Sequence, residues 1–350
     1  MPAVSSGTVL VTGANGFIAV WVLQELLEHG FAVRGTVRSE DKATYLRDQF
    51  ATYSAKLEVI VVNNMTEEGA FDNAAEGTDA ILHLASPVAL DSEDPNAVII
   101  PAVQGTLGIL TSALKHRATV RRVVFLSSAA AIYNPPAPGD TGTRVLDESD
   151  WNEHSVKEVR EKGGKAWGRD IYRASKTLAE RAAWKLYEEE RAKGGLEWDL
   201  VTLNPPLVYG PLIHEVPTAE SLTGSARMWY DSVVKGAVVW PDVVSSHRYA
   251  YVDVRDLARA HVLGLTVPEA GGERFMICAG PCIMQQFVDA ARRVTDKIPA
   301  GEPSYRKEDV VYATVYNASK SRNVLDLSYR SVEETAIDTT RDLERRGWVP

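Results

Sequence analysis

The chain has 350 residues, of which 45% are hydrophobic and 24% charged. At about 150 residues per domain this is enough for one large α/β unit with an appendage, and enough to bury a core without disulfide staples. The balance of 38 basic and 47 acidic side chains gives a net charge of −9. With no basic cluster, that excludes nucleic acid or an anionic membrane as the expected partner. The two cysteines cannot form a disulfide framework, which points to a reducing compartment and a cytoplasmic location. Residues 1–7 carry neither a basic region nor an apolar run, so no signal peptide is expected. No stretch reaches 18 uninterrupted apolar residues, so no membrane span is expected either.

Short apolar runs read as buried parallel strands at Thr8–Thr12, Ala32–Val37, Leu57–Val62, Ala80–Leu84 and Arg122–Leu126. Helical spacing separates them at Phe17–His29, Asp41–Phe50, Thr66–Ala75 and Val98–His116. This alternation predicts βαβ units in a doubly wound parallel sheet. Asn134–Gly142 is rich in proline and glycine and reads as a loop. A long helix is expected over Asp170–Lys193, stopped by Gly194-Gly195, followed by a strand at Leu200–Leu203 that Asn204-Pro205-Pro206 ends. Helices are expected near Ala219–Lys235 and Val254–Leu265, and the chain is expected to rejoin the main sheet near Arg248–Val252. These elements predict a dinucleotide-binding unit over residues 1–205, joined by 248–265, and a smaller substrate lobe over 206–350.

Residues Val9 to Ala19 (VLVTGANGFIA) are a strand, a tight turn and a helix start. Gly13 supplies a backbone conformation barred to other residues, and Gly16 lets a pyrophosphate approach the amides of Asn15, Phe17 and Ile18 at the helix N-terminus. Ala19 stands at the third glycine position and still allows close helix–sheet packing. An NAD site places an acid at the end of the second strand; here stands Arg38, with Lys42 one turn on, a pattern that favours the 2′-phosphate of NADPH. The alternative is that both are solvated surface charges. Asn64-Met65 follow the third strand, where an adenine edge would lie.

Tyr172 and Lys176 share a helix face at i and i+4. A nearby ammonium lowers a tyrosine pKa and suits it to protonate a carbonyl oxygen. Ser128 ends a buried strand, at the edge where open parallel sheets bind ligands, and its hydroxyl could steady a developing alkoxide. Ser127 is the competing choice.

With these residues in view, the sequence resembles an extended short-chain dehydrogenase/reductase over nearly its whole length. The nearest branch holds dihydroflavonol and cinnamoyl-CoA reductases and yeast-type aldehyde, ketone and methylglyoxal reductases. The carrying motifs are the glycine turn, Ala80 to Pro87 (AILHLASP), Gly105-Thr106, Phe125 to Ser128, Asp147 to Trp151 (DESDW), Tyr172 with Lys176, Asn204 to Pro211 (NPPLVYGP) and Tyr251 to Asp256 (YVDVRD). The resemblance implies a Rossmann fold and a catalytic set of Ser128, Tyr172 and Lys176. It also implies that Leu84, Ala85, Ser86 and Ser127 adjoin the nicotinamide half of the cofactor, and that Pro205, Leu207 and Val208 meet its carboxamide. Two positions depart from the pattern: Asn64 replaces an acid and Leu126 a frequent threonine.

The expected activity is NADPH-dependent reduction of an aldehyde or ketone by a monomer or homodimer. A sugar-nucleotide epimerase or dehydratase and a non-catalytic NADP sensor are the alternatives. The expected pocket residues are Val88, Ala89, Tyr133, Leu207, Met228 and Trp229. For Trp229 and Trp240, core packing is the competing reading. Cys278 and Cys282 lack a neighbouring histidine cluster and read as buried thiols, with no metal expected. His83 reads as a structural histidine beside the cofactor, and Glu188 to Arg191 as a solvated helix end.

Overall fold

The structure, a computed structural model, describes residues 3–86, 94–136, 142–237, 249–302, 306 and 310–350. The first half alternates strictly: β1 (Thr8–Thr12), α1 (Phe17–Glu28), β2 (Ala32–Val37), α2 (Glu40–Gln49), β3 (Leu57–Val61), α3 (Asp72–Ala75), β4 (Ala80–His83), α4 (Pro95–Lys115) and β5 (Arg122–Leu126). Then follow β6 (Arg144–Leu146), α5 (Glu153–Lys162), α6 (Gly168–Lys193), β7 (Asp199–Asn204), β8 (Leu207–Tyr209) and α7 (Gly224–Trp229). The remainder is β9 (Tyr249–Asp253), α8 (Val254–Thr266), β10 (Arg274–Met276), β11 (Gly280–Cys282), α9 (Met284–Ala291), β12 (Thr314–Tyr316), α10 (Ser319–Val324) and α11 (Val332–Arg345).

The main sheet is parallel throughout, in the order β10-β7-β5-β4-β1-β2-β3. The order reverses between β1 and β4, so a crevice opens beyond their carboxyl ends, where ligands of such sheets bind. Every residue of β5 is buried, as expected of a strand covered on both faces. Helices α1 and α8 pack together on one face and α4 and α6 on the other. Helix α4 is long and apolar enough to cross a membrane. It instead lays Val98, Ala102, Ile109, Leu110 and Ala113 inward along one stripe, after Asp94 caps its first turn and Pro95 opens it. A second core, built around Tyr209, Trp229, Val233, Phe287 and Leu343, sits in the smaller lobe.

Three expectations from the sequence need correction. The helix over Thr66–Ala75 shrinks to Asp72–Ala75. Asn64 accepts the Thr66 N–H and hydroxyl in a local turn, and Gly69 takes a φ of 72°, which a right-handed helix cannot contain. The expected helix at Ala219–Lys235 is a 3₁₀ turn, then α7 and a π-helical turn, with Gly224 at φ 55° between them. Strand β9 does not rejoin the main sheet; it pairs with β8 and β11 in a separate sheet, and the main sheet gains β10 instead. The partner of β9 is set by the Pro205-Pro206 break, which swings the chain out of β7 before β8 begins.

Candidate active site

The turn after β1 has the shape of an anion cradle. Gly13 holds φ 66°, and a Cβ there would lie 3.0 Å from the Cα of Ala85. The Gly16 N–H donates to the Gly13 carbonyl (3.0 Å), and Gly16 caps α1 in an extended conformation. No side chain caps this helix end and no acid lies in its first turn, so the amides of Phe17 and Ile18 keep their partial positive charge for a ligand. Ala19 is buried. Gly35 is a further requirement that the sequence did not flag: a Cβ there would stand 2.9 Å from that of Ala14, whose N–H donates to Thr36 (2.9 Å).

Arg38 lies at the exposed end of β2 and meets no carboxylate among the described residues. Lys42 donates instead to Glu215 across the seam with the smaller lobe (2.6 Å). Asn64 spends its side chain on Thr66 and Glu67, so its adenine-reading role is not prepared by this geometry. The Met65 methyl fills the space that a side chain at Gly105 would need.

Thr12, missed in the sequence, ties the two strand ends together. Its hydroxyl accepts the N–H groups of Leu84 and Ala85 (3.1 Å each) and meets Nδ1 of His83 at 2.8 Å. With its acceptor capacity used, the hydroxyl donates to Nδ1, which assigns the ring proton to Nε2. His83 lies between Phe71 and Phe125; burial, reinforced by the charge of Lys176, pushes its pKa down to about 3. It is a neutral structural ring.

Ser128, two residues past β5, caps a 3₁₀ turn by accepting the Ala130 N–H (3.1 Å). The Ser128 hydroxyl is the polar group that faces the Tyr172 phenol. Lys176, one turn further along α6, is buried and donates to Ser86 Oγ (3.0 Å). Ser128 thus faces Tyr172, and Lys176 shares the Tyr172 side of α6. One expectation reverses: burial raises the Tyr172 pKa, against the lowering effect of Ser128, so Lys176 does not depress it here. Burial also brings Lys176 down to about 8, opposed by Glu180. Ser127 is excluded as the oxygen-binding hydroxyl because it points inward and donates to Glu180 (2.5 Å).

Glu180 and Arg274 are further residues that the sequence reading passed over. Glu180 also receives Asn204 (2.7 Å), Thr202 (3.3 Å) and Arg274 (2.7 Å). The Arg274 guanidinium lies 3.7 Å from the Trp151 ring and reaches the carbonyls of Glu148 and Asp150. The Asp147 to Trp151 motif is thus a buttress behind the Ser128 turn. Glu180 had a signal, the same i+4 spacing beyond Lys176; Arg274 had none.

Backbone contacts fix the opposite wall: the Pro205 carbonyl accepts from Ala129 (2.8 Å), Leu207 pairs with Tyr251, and the Val208 carbonyl accepts from Ser225 (2.6 Å). Tyr133 is buried beneath the Arg173 guanidinium at 4.4 Å. Met228 is half-buried at the margin of the lobe core. Trp229 is corrected from pocket wall to core: at 1% exposure it packs wholly inside the lobe. Val88, Ala89 and Trp240 lie outside the described residues. Cys278 and Cys282 are buried thiols whose pKa values burial raises. Among the described residues His154, Glu158 and Asp170 could surround a cation, but Lys162, Ser155 and Arg173 already meet the two carboxylates.

Residues 9–278 match the model of the NAD dependent epimerase/dehydratase family. Ketoreductase azaE of Aspergillus niger is 33% identical, with 96% of this chain and 97% of that protein covered. Cinnamoyl-CoA reductase 1 of Petunia hybrida is 34% identical, with 100% and 96% covered. The solved structure of yeast methylglyoxal/isovaleraldehyde reductase Gre2 complexed with NADPH superposes with a TM-score of 0.82 at 28% identity, covering 98% of this chain and 100% of that one. With the parallel sheet, the glycine cradle and the Tyr172–Lys176 face already placed, these likenesses settle the family: the chain belongs to the NAD dependent epimerase/dehydratase family, as an extended short-chain dehydrogenase/reductase.

Proposed function

We propose that this protein is an NADPH-dependent reductase that converts an aldehyde or ketone to an alcohol with Ser128, Tyr172 and Lys176. The observation that carries the reading is the buried Lys176 ammonium, held by Ser86 one helical turn from Tyr172, with Ser128 just past the carboxyl end of β5. The residues present fit the cofactor. The Gly13 cradle would be closed by any Cβ, the first turn of α1 carries no competing acid, and Arg38 is free to pair with a 2′-phosphate. When bound, the reduced nicotinamide supplies a hydride to the carbonyl carbon.

The chain's own residues handle the oxygen. Ser128 donates a hydrogen bond to it and steadies the negative charge that develops. Tyr172 enters protonated, since its pKa is raised, and gives its proton to that oxygen. Lys176, one helical turn from Tyr172, holds its ammonium buried on the same face of α6, where the reduced nicotinamide's ribose would lie. Ser86 orients the Lys176 ammonium, and Thr12 fixes the backbone that carries Ser86.

The test is the initial rate of NADPH and of NADH consumption against aryl ketones, β-keto esters and small aldehydes. Turnover with NADPH preferred is expected. Conversion of a sugar nucleotide without net cofactor consumption would overturn the reading in favour of an epimerase. So would tight NADPH binding with no turnover, in favour of a sensor.

A further inference from the structure

We propose that Glu180 is a positioning residue of the reductase, which ties the Ser128 turn to the catalytic helix and keeps the Lys176 ammonium charged. This rests on the catalytic roles proposed above for Ser128 and Lys176.

Tyr172, Lys176 and Glu180 form one column along α6, each a helical turn beyond the last. Glu180 is completely buried, a site that tolerates a carboxyl group only if its oxygens are fully engaged. They are. Oε2 accepts from Ser127 Oγ and Asn204 Nδ2, and Oε1 from Arg274 Nε and Thr202 Oγ1. These donors come from the residue after β5, from β7 and from the first residue of β10. Two of them also govern Ser128: Ser127 is its chain neighbour, and the Asn204 amide donates to the Ser128 carbonyl (3.2 Å). One carboxylate therefore links the strand end that carries the oxygen-binding hydroxyl to the helix that carries the proton donor.

The electrostatic setting points the same way. Burial draws the Lys176 pKa down, and Glu180 is the charge that opposes it. Other groups around α6 are neutral or committed elsewhere. His83 on β4 is neutral, and Tyr172 holds its proton. The one titratable residue of α4, Lys115, pairs with Asp72. On α5, Glu153 pairs with Arg181 and Glu158 with Lys162, while His154 lies by Asp170 near the start of α6. Arg122 on β5 and Asp199 on β7 pair at the far ends of their strands. Arg274 is the cation that tempers Glu180, and its stacking on Trp151 fixes how far it can do so.

The experiment is competitive acetylation of Lys176 across pH, read by mass spectrometry, alongside the pH dependence of kcat. Glu180→Gln is expected to move the Lys176 titration down by about one unit. At pH 8 kcat should fall about fivefold, the change in protonated fraction, and recover toward pH 6. Glu180→Asp keeps the charge and should hold the titration near the parent's. Arg274→Met, which unmasks Glu180, should move it up; this variant decides the matter if Glu180→Gln does not fold. An unmoved titration in Glu180→Gln, a loss of kcat equal at every pH, or a downward shift in Arg274→Met would overturn the proposal. The labelling needs no turnover. A parent enzyme that reduces no carbonyl would therefore sink the reductase reading while the link between Glu180 and Lys176 is still decided.

Discussion

Tyr172 and Arg38 divide the proposed chemistry between them, one delivering a proton and the other choosing the cofactor. Tyr172→Phe removes the phenol oxygen and leaves the ring, so kcat is expected to fall about a thousandfold. NADPH binding, followed by fluorescence titration, should change by no more than about twofold. Arg38→Ala should weaken NADPH by about tenfold, the loss of a charge-assisted pair of about 1.4 kcal/mol. NADH should be nearly unaffected; equal losses would mean that Arg38 does not read the 2′-phosphate. The two hydroxyls at the end of β5 show what a sequence can and cannot disclose at this scale. Ser127 and Ser128 were both visible as candidates. Successive strand residues face opposite ways, so one of them had to turn inward. Which one depends on Glu180, far away in the chain. Thr12 and Arg274 were hidden for the same reason, since their partners His83 and Glu180 lie 71 and 94 positions distant.

Elements with a strong period were legible almost to the residue. Strands β1, β2 and β5 have the expected bounds; β1 and β5 are buried almost throughout and read as apolar runs, whereas β2 carries Arg34 and Gly35 among its apolar residues. Strands of three residues, β8, β10 and β11 among them, carry no period at all, and that is why β10 went unread and β9 was given to the wrong sheet. The β1–α1 turn is the element on which the cofactor reading depends, and Gly13 tests it. Alanine there would have to hold φ 66° and place its methyl 3.0 Å from the Ala85 backbone, which cannot yield as a side-chain tip would. The left-handed conformation alone costs about 1–2 kcal/mol. Gly13→Ala is expected to weaken NADPH binding at least about tenfold and to lower the unfolding midpoint by a few degrees, measured by calorimetry with and without cofactor.

The whole molecule responds to acid through rings that it buries uncharged. His83 sits under the active site, His261 inside α8, and His214 at the seam, where it packs on Phe17 of the cofactor turn. Burial depresses their pKa values to about 3 for His83 and about 4 for His261 and His214. Each folded value lies below the unfolded value near 6.5, so the unfolded chain takes up protons that the folded one refuses. The stability they contribute is complete above pH 6.5 and is lost as pH falls toward 4 and then 3. For each wholly buried ring the slope is about 1.4 kcal/mol per pH unit within that window. Free carboxylates in unfolded chain titrate near 4, so a fall that begins well above pH 5 belongs to the histidines. The unfolding midpoint measured from pH 7 to pH 4.5 should therefore drop steeply. His261→Phe should flatten the curve, because the ring's one bond, to the Leu257 carbonyl, lies within its own helix and its Nε2 has no partner to lose. Identical slopes in the parent and His261→Phe would mean that His261 gains its proton without unfolding, and that α8 opens to water while the rest of the sheet stays closed.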